Sequence, residues 1–308
     1  MQSNNQLSKY VQPPFLKKND LVSIVSPAGQ IAREAIDNAT KILQQWDLQV
    51  EIGKHVCESF MGFAGSDEQR RADLQAAINN PDTKAIICSR GGYGCGRIID
   101  EIDFSPLQKN PKWLVGFSDI TVLHARLFRL GIQSIHGAMP KNFPNYSDNN
   151  ESLKTLHQAL FGELKEYFLP THALNKQGIA KGKLVGGNLS ILANLAATPD
   201  DIDTTDAILF IEDVGEFLYN IDRMLNNLQR SGKLNKLKGV IVGDFSNTKN
   251  DSFIFDKTAY EIIFSYVEKL NIPVCFGFPA GHDEPNYALY FGREMQLEIT
   301  EKSSKIIF

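Results

Sequence analysis

The sequence predicts an α/β fold in two units, an N-terminal parallel-sheet unit followed by a smaller C-terminal α/β unit. Three observations carry this. Short apolar runs alternate with helix-length amphipathic segments between residues 21 and 131, the pattern of parallel strands joined by covering helices. Two further apolar runs, AILFIED and GVIVGDF, bracket another helical segment after residue 200. The chain has 308 residues, 43% of them hydrophobic, and at roughly 100–200 residues per domain this length suits two domains.

The elements follow in order. LVSIVS (21–26) is a buried strand closed by Pro27, Ala28 and Gly29. Residues 31–46 are a helix, with Ile31, Ala35, Ala39, Ile42, Leu43 and Trp46 on one side. LQVEIG is a second strand. In SDEQRRADLQAAIN, Ser66 and Gln69 form a capping box that starts a helix. KAIICS is a third strand, followed by the glycine cluster RGGYGCGR. KWLVGFS is a fourth, and DITVLHARLFRLG is a helix ended by Gly131. This succession describes a flavodoxin- or Rossmann-like sheet, whose sites form at the carboxyl ends of the strands.

Residues 142–150, NFPNYSDNN, are turn-rich, and THALNKQGIAKGK (171–183) reads as a connection. The boundary is placed at 165–180, dividing residues 1–170 from 171–308. Beyond it, GGNLSILANLAAT is expected as a helix, and EFLYNIDRMLNNLQRSG as a helix ended by Gly232. TAYEIIFSYVEKLN is a further helix, followed by the strand IPVCFGF and the loop PAGHDEPNYALYFG. MQLEITEKSSKIIF is a terminal hairpin turning at Lys302–Ser304.

Composition narrows the function. The net charge is −4 and no basic run stands out, so a nucleic-acid partner is not expected. The first fifteen residues are polar, and no stretch reaches the roughly 18 apolar residues of a membrane helix; a soluble cytoplasmic protein is expected. The four cysteines contain no C-x-x-C pair, and the six histidines no H-E-x-x-H spacing, so no local motif calls for a metal.

Four places could carry chemistry. GGYGCG fails the dinucleotide spacing because Arg97 stands where a glycine is needed. It is either a flexible turn or a loop whose bared N–H groups bind an anion. Ser118 lies in GFSDIT, at a corner between a buried strand and a helix. There it is either a simple N-cap or an exposed nucleophile, although Ile120 breaks the G-x-S-x-G pattern. Glu212 ends the strand ILFIE, with Asp213 and Glu216 as rivals. His282 lies in the loop PAGHDEP, and His136 in SIHGAMP is comparable. A serine needs a base, and the base needs a carboxylate to fix its tautomer. Ser118, Glu212 and His282 supply one of each.

Motif by motif, the chain resembles the LD-carboxypeptidase family, which also contains microcin-immunity peptidases. The resemblance rests on SPAG (26–29), FAGSDEQRRADL (63–74), SRGGYG (89–94), GFSDIT (116–121), HGAMP (136–140), GGNLSIL (186–192), IEDVGE (211–216), IDRML (221–225) and GHDEPN (281–286). Tyr290 departs from it, standing where the family often has proline. The resemblance implies Ser118 as nucleophile, Glu212 as acid, His282 as base, and an oxyanion hole from the N–H groups of Gly92 and Asp119. It implies an active site between the two units, commonly in a homodimer, needing no cofactor. The implied reaction is release of the terminal D-alanine of a murein tetrapeptide in wall recycling. One alternative is a microcin-type peptidase cleaving an aminoacyl-nucleotide amide, with Phe217 and Tyr219 keeping an aromatic shelf open. Another is a non-catalytic ligand-binding module. A carboxypeptidase must also read a terminal carboxylate, for which Arg90, Arg97 and Arg223 are the candidates.

Overall fold

The computed structural model describes residues 10–143, 150–250 and 256–308, so most of the turn-rich stretch at 142–150 lies outside the described residues. The first sheet contains β1 (Leu21–Val25), β2 (Gln49–Ile52), β3 (Thr83–Cys88), β4 (Trp113–Gly116) and β5 (Ser134–His136). These five are parallel, in the order β2-β1-β3-β4-β5. That is the doubly wound order in which the chain reverses direction across the sheet between β1 and β3, opening a crevice at their carboxyl ends. Helix α1 (Arg33–Gln45) covers the sheet with buried Ile36, Ala39 and Leu43. Helix α2 (Asp67–Asn79) starts at a capping box, in which the Gln69 N–H donates to Ser66 Oγ at 3.2 Å and the Ser66 N–H to Gln69 Oε1 at 2.9 Å. Two short helices, α3 (Cys95–Ile98) and α4 (Ser105–Lys109), lead into β4, and α5 (Thr121–Arg129) follows it. The sheet interior is apolar: Ile24, Ile86, Ile87, Trp113 and Val115 are fully enclosed. Each such side chain contributes about 1.5–3 kcal/mol by leaving water.

After α6 (Glu151–Phe161) the chain builds a second sheet from β6 (Glu166–Pro170), β7 (Gly178–Asn188), β8 (Ala207–Val214), β9 (Gly239–Ser246), β10 (Val274–Phe276), β12 (Glu294–Ile299) and β13 (Ser303–Ile307). β7 to β10 are parallel, while β12, β13 and β6 complete the sheet antiparallel. Helix α8 (Leu218–Arg230) packs against both α7 (Leu189–Leu195) and α9 (Ala259–Val267), and α7 rests on β7 and β8.

Three sequence readings are corrected here. The expected connection at 171–183 runs into a long strand from Gly178, because β12 pairs with it from Gly178 to Lys183. The expected helix at 186–198 is shorter, since Gly186, Gly187 and Asn188 still pair with β8. The expected loop at 279–292 contains β11 (Leu289–Phe291), which returns to the first sheet and pairs antiparallel with β5. Sheet membership therefore crosses residue 170 in both directions: β6 belongs to the second sheet and β11 to the first.

Candidate active site

β4 delivers Ser118. Phe117 is extended, and Ser118 then takes a φ of 64° before a 3-10 turn leads into α5. A left-handed non-glycine residue costs roughly 1–2 kcal/mol, so this corner is strained and turns the side chain out of the sheet. Neither the turn nor α5 has a side-chain cap, so the serine hydroxyl is not spent as an N-cap. The strand-to-helix corner has the logic of a nucleophile elbow without its second glycine.

The glycine loop after β3 comes directly against this corner. A Cβ added to Gly91 would stand 2.8 Å from the Ser118 Cβ and 3.2 Å from the Asp119 nitrogen. Only glycine allows that approach. Gly92 follows with a φ of 102° and is exposed. The Asp119 carboxylate accepts the Cys95 N–H at 2.8 Å, tying the two loops together. Burial holds the Asp119 carboxyl above its ordinary range.

The second sheet supplies the other two groups. Glu212, at the carboxyl end of β8, is 0% exposed, and its Oε2 lies 2.8 Å from His282 Nδ1. A carboxylate only accepts, so Nδ1 carries the proton and Nε2 is left to act as base. Gly281 permits this contact: at a φ of 148°, a Cβ there would stand 3.2 Å from Glu212 Oε2 and 3.0 Å from Asp244 Cβ. The Phe117 ring meets the His282 ring edge-on at 5.0 Å between centroids, which brings the residue before Ser118 against that imidazole. Burial pulls the affinity of His282 for its proton down, the bond to Glu212 and the charges of Glu212 and Asp213 push it up, and Lys141 pulls it down. The net result lies above the ordinary 6.5.

The rivals are committed elsewhere. Asp213 accepts from Asn188 Nδ2 and the Ser190 N–H, both at 2.9 Å. Burial, then the Glu212 charge, raises its carboxyl to about 7. Glu216 accepts from Asn220 Nδ2 at 3.1 Å. His136 is 0% exposed, with Nε2 at 3.2 Å from Asn286 Oδ1. Burial lowers its affinity for a proton to about 3, so it stays neutral.

The three arginines diverge. Arg90 Nη1 donates to the Gln30 carbonyl at 2.7 Å, next to the glycine loop. Arg97 is spent on Asp67, with Nε and Nη2 donating to its carboxylate at 2.7–3.0 Å. Arg223 stacks over the Tyr219 ring at 5.0 Å, in a groove of about 830 Å³ lined by one face of α8 and Ser231. That groove contains none of Ser118, Glu212 or His282. The sequence reading missed Lys141, just after HGAMP, and Asn286, whose Oδ1 also accepts the Gly281 N–H at 3.2 Å. Among the described residues no cluster of three or more His, Cys, Asp or Glu could hold a metal, and no helix is long and apolar enough to cross a membrane.

Residues 22–137 match the LD-carboxypeptidase N-terminal domain and residues 181–297 the LD-carboxypeptidase C-terminal domain. A protein of Bacillus subtilis, named as a probable murein peptide carboxypeptidase, is 36% identical over 96% of this chain and 94% of its own length. The murein tetrapeptide carboxypeptidase of Pseudomonas aeruginosa is 32% identical over 90% of this chain and 92% of its own. The crystal structure of muramoyltetrapeptide carboxypeptidase from Oxalobacter formigenes superposes with a TM-score of 0.84 at 30% identity, covering 93% of this chain and 97% of that one. A microcin C7 self-immunity protein shares the fold, with a TM-score of 0.85 at 18% identity, covering 97% of this chain and 98% of that one.

Proposed function

Because the chain belongs to the LD-carboxypeptidase family, a family of serine-type hydrolases, we propose that it releases the terminal D-alanine of a murein tetrapeptide by acyl transfer through Ser118. The observation that carries this reading is the Glu212–His282 bond beside the strained Ser118 corner. In the proposed mechanism His282 Nε2 takes the Ser118 proton as Oγ attacks the peptide carbonyl. Glu212 holds the ring in the required tautomer and stabilises the imidazolium. The N–H groups of Gly92 and Asp119 receive the developing oxyanion; one such donor is worth roughly a hundred- to a thousandfold in rate. His282 then returns the proton to the leaving D-alanine nitrogen. Water attacks the acyl-enzyme by the same route.

Murein carboxypeptidases at 32–36% identity support this substrate, whereas the microcin-immunity likeness at 18% concerns the fold. Four free cysteines fit a reducing compartment, so the proposal extends to a cytoplasmic recycling enzyme. The family resemblance extends it to a homodimer. The test is release of D-alanine from a murein tetrapeptide, together with labelling by a serine-directed phosphonate. Wild type does both, and Ser118→Ala does neither while keeping its fold. Turnover by Ser118→Ala near the wild-type rate refutes the assignment.

A further inference from the structure

A carboxypeptidase must recognise a chain end, and the leaving residue is a single amino acid. One residue spans about 3.8 Å, so whatever reads its carboxylate has to lie within one residue's reach of the nucleophile. We propose that Arg90 and Lys141 together form that anchor, an inference that rests on the carboxypeptidase reading above.

Arg90 immediately precedes Gly91, where an added Cβ would stand 2.8 Å from the Ser118 Cβ. Its guanidinium is steadied without being neutralised. Nη1 donates to a neutral carbonyl, that of Gln30, at 2.7 Å, and a Cβ on Gly29 would stand 3.2 Å from Nε. Among the described residues no carboxylate forms an ion pair with it, in contrast to Arg97, which Asp67 occupies. An arginine held in this way keeps part of its planar fork for two parallel bonds to a carboxylate.

Lys141 reaches the same place by another route. Its N–H donates to the Ser89 carbonyl at 3.0 Å, which fixes it beside the residue preceding Arg90. It too has no ion-pair partner among the described residues. Its ammonium is held below its ordinary affinity for a proton, first by loss of water and then by the Arg90 charge. The Lys141 charge also lowers the affinity of His282 for its proton. The Ser89 bond thus sets Lys141 beside the start of the glycine loop that carries Arg90. Two neighbouring cations without a counter-ion repel each other, and a bound carboxylate removes that cost. The ligand class follows: short peptides ending in a free α-carboxylate, with amides, esters and longer chains excluded.

The experiment compares kcat/KM for release of D-alanine from a murein tetrapeptide with release of D-alaninamide from its C-terminal amide. Wild type favours the acid. Arg90→Met and Lys141→Met each lose roughly ten- to a hundredfold on the acid, the worth of a charged hydrogen bond, so the acid-to-amide ratio collapses. Arg223→Met, on the α8 groove, keeps the wild-type ratio. Arg90→Lys keeps the charge but loses the fork and also lowers the ratio; it decides the matter if Arg90→Met does not fold. A ratio unchanged in Arg90→Met or Lys141→Met removes that residue from the anchor. Equal wild-type rates on acid and amide overturn the anchor, while D-alanine release from the tetrapeptide still supports the proposed hydrolysis through Ser118. No D-alanine release by wild type refutes the proposed function and the anchor with it.

Discussion

Glu212→Gln is the perturbation that best separates the chemistry of the site from its architecture. Glutamine keeps the volume of the side chain and removes the charge. Glu212 is 0% exposed, and among the described residues only its Oε2 is engaged, by His282 at 2.8 Å, while its Oε1 has no partner there. Replacing a buried, half-satisfied carboxylate by a neutral amide relieves a desolvation cost, so the variant is expected to melt no lower than wild type. Activity moves the other way. The amide NH2 can face Nδ1 and stabilise the tautomer with its proton on Nε2, which cannot accept the serine proton. Loss of the equivalent charge in a Ser-His-Asp protease costs about ten-thousandfold in kcat, and a loss of about a thousand- to ten-thousandfold is expected here. The pH profile supplies the sign. As the proposed base His282 must be neutral, so kcat/KM is expected to rise with pH through its pKa. In wild type that pKa lies above the ordinary 6.5: burial lowers it, but Glu212 and Asp213 outweigh burial. Without the Glu212 charge, burial counts for more, and the acid limb moves to lower pH. The assay is kcat/KM for D-alanine release across the acid-to-neutral range, with Glu216→Gln as comparison, expected within a few-fold of wild type. If Glu216→Gln loses more activity than Glu212→Gln, or if the acid limb of Glu212→Gln moves upward, the assignment of the carboxylate is wrong.

Two further predictions concern stability. Ser118→Gly relieves the left-handed strain at φ 64° that Ser118→Ala retains, so the glycine variant should be about 1 kcal/mol more stable and melt about 2 °C higher; equal melting temperatures would mean that the corner stores no strain. Lys112 is 1% exposed and its ammonium donates to the Ala77, Ile78 and Asn80 carbonyls at the end of α2. Lys112→Met leaves those acceptors without their donor and should cost about 2–3 kcal/mol in urea unfolding; a loss below about 0.5 kcal/mol would show that water replaces the ammonium freely.

What the sequence revealed was local, and what it hid was long-range. The capping box at Ser66–Gln69 spans a single turn, and the strand–serine–helix corner is contiguous in VGFSDIT, so both could be read directly. β7 could not. Its first half, GIAKGK, sets the small residues Gly178, Ala180 and Gly182 between Ile179, Lys181 and Lys183, and Ile179 is 70% exposed; its strand character comes from β12, more than a hundred residues away. β11 was hidden for the same reason, since the three residues LYF are a strand only because β5 lies beside them. His136 and His282 looked alike in sequence. They are separated by their surroundings: Asn286 and the Phe117, Phe210 and Phe291 rings enclose the first, while Glu212 reaches the second. The arginines could not be ranked because Asp67, which occupies Arg97, belongs to a different helix.

The division of the site between two sheets raises the question of what keeps it assembled. Ser118 belongs to the first sheet and Glu212 to the second. His282 lies on the segment between β10, which pairs with β9 in the second sheet, and β11, which pairs with β5 in the first. His282 is therefore carried on a bridge anchored at both ends. Asn286 braces that bridge from within: its N–H donates to Ser152 Oγ at 2.7 Å, and its Oδ1 accepts from Gly281 and meets His136, the last residue of β5. A second tie joins the sheets behind the acid, where the Asn188 N–H donates to Thr121 Oγ1 at 3.1 Å and the Asn188 side chain holds Asp213. Separating the sheets would break both ties and pull His282 from Ser118 or from Glu212. In the proposed mechanism the antiparallel return of β11 thus has a catalytic consequence: it couples the position of His282, the proposed base, to the sheet that carries Ser118, the proposed nucleophile, while the buried bond to Glu212 couples the same ring to the other sheet.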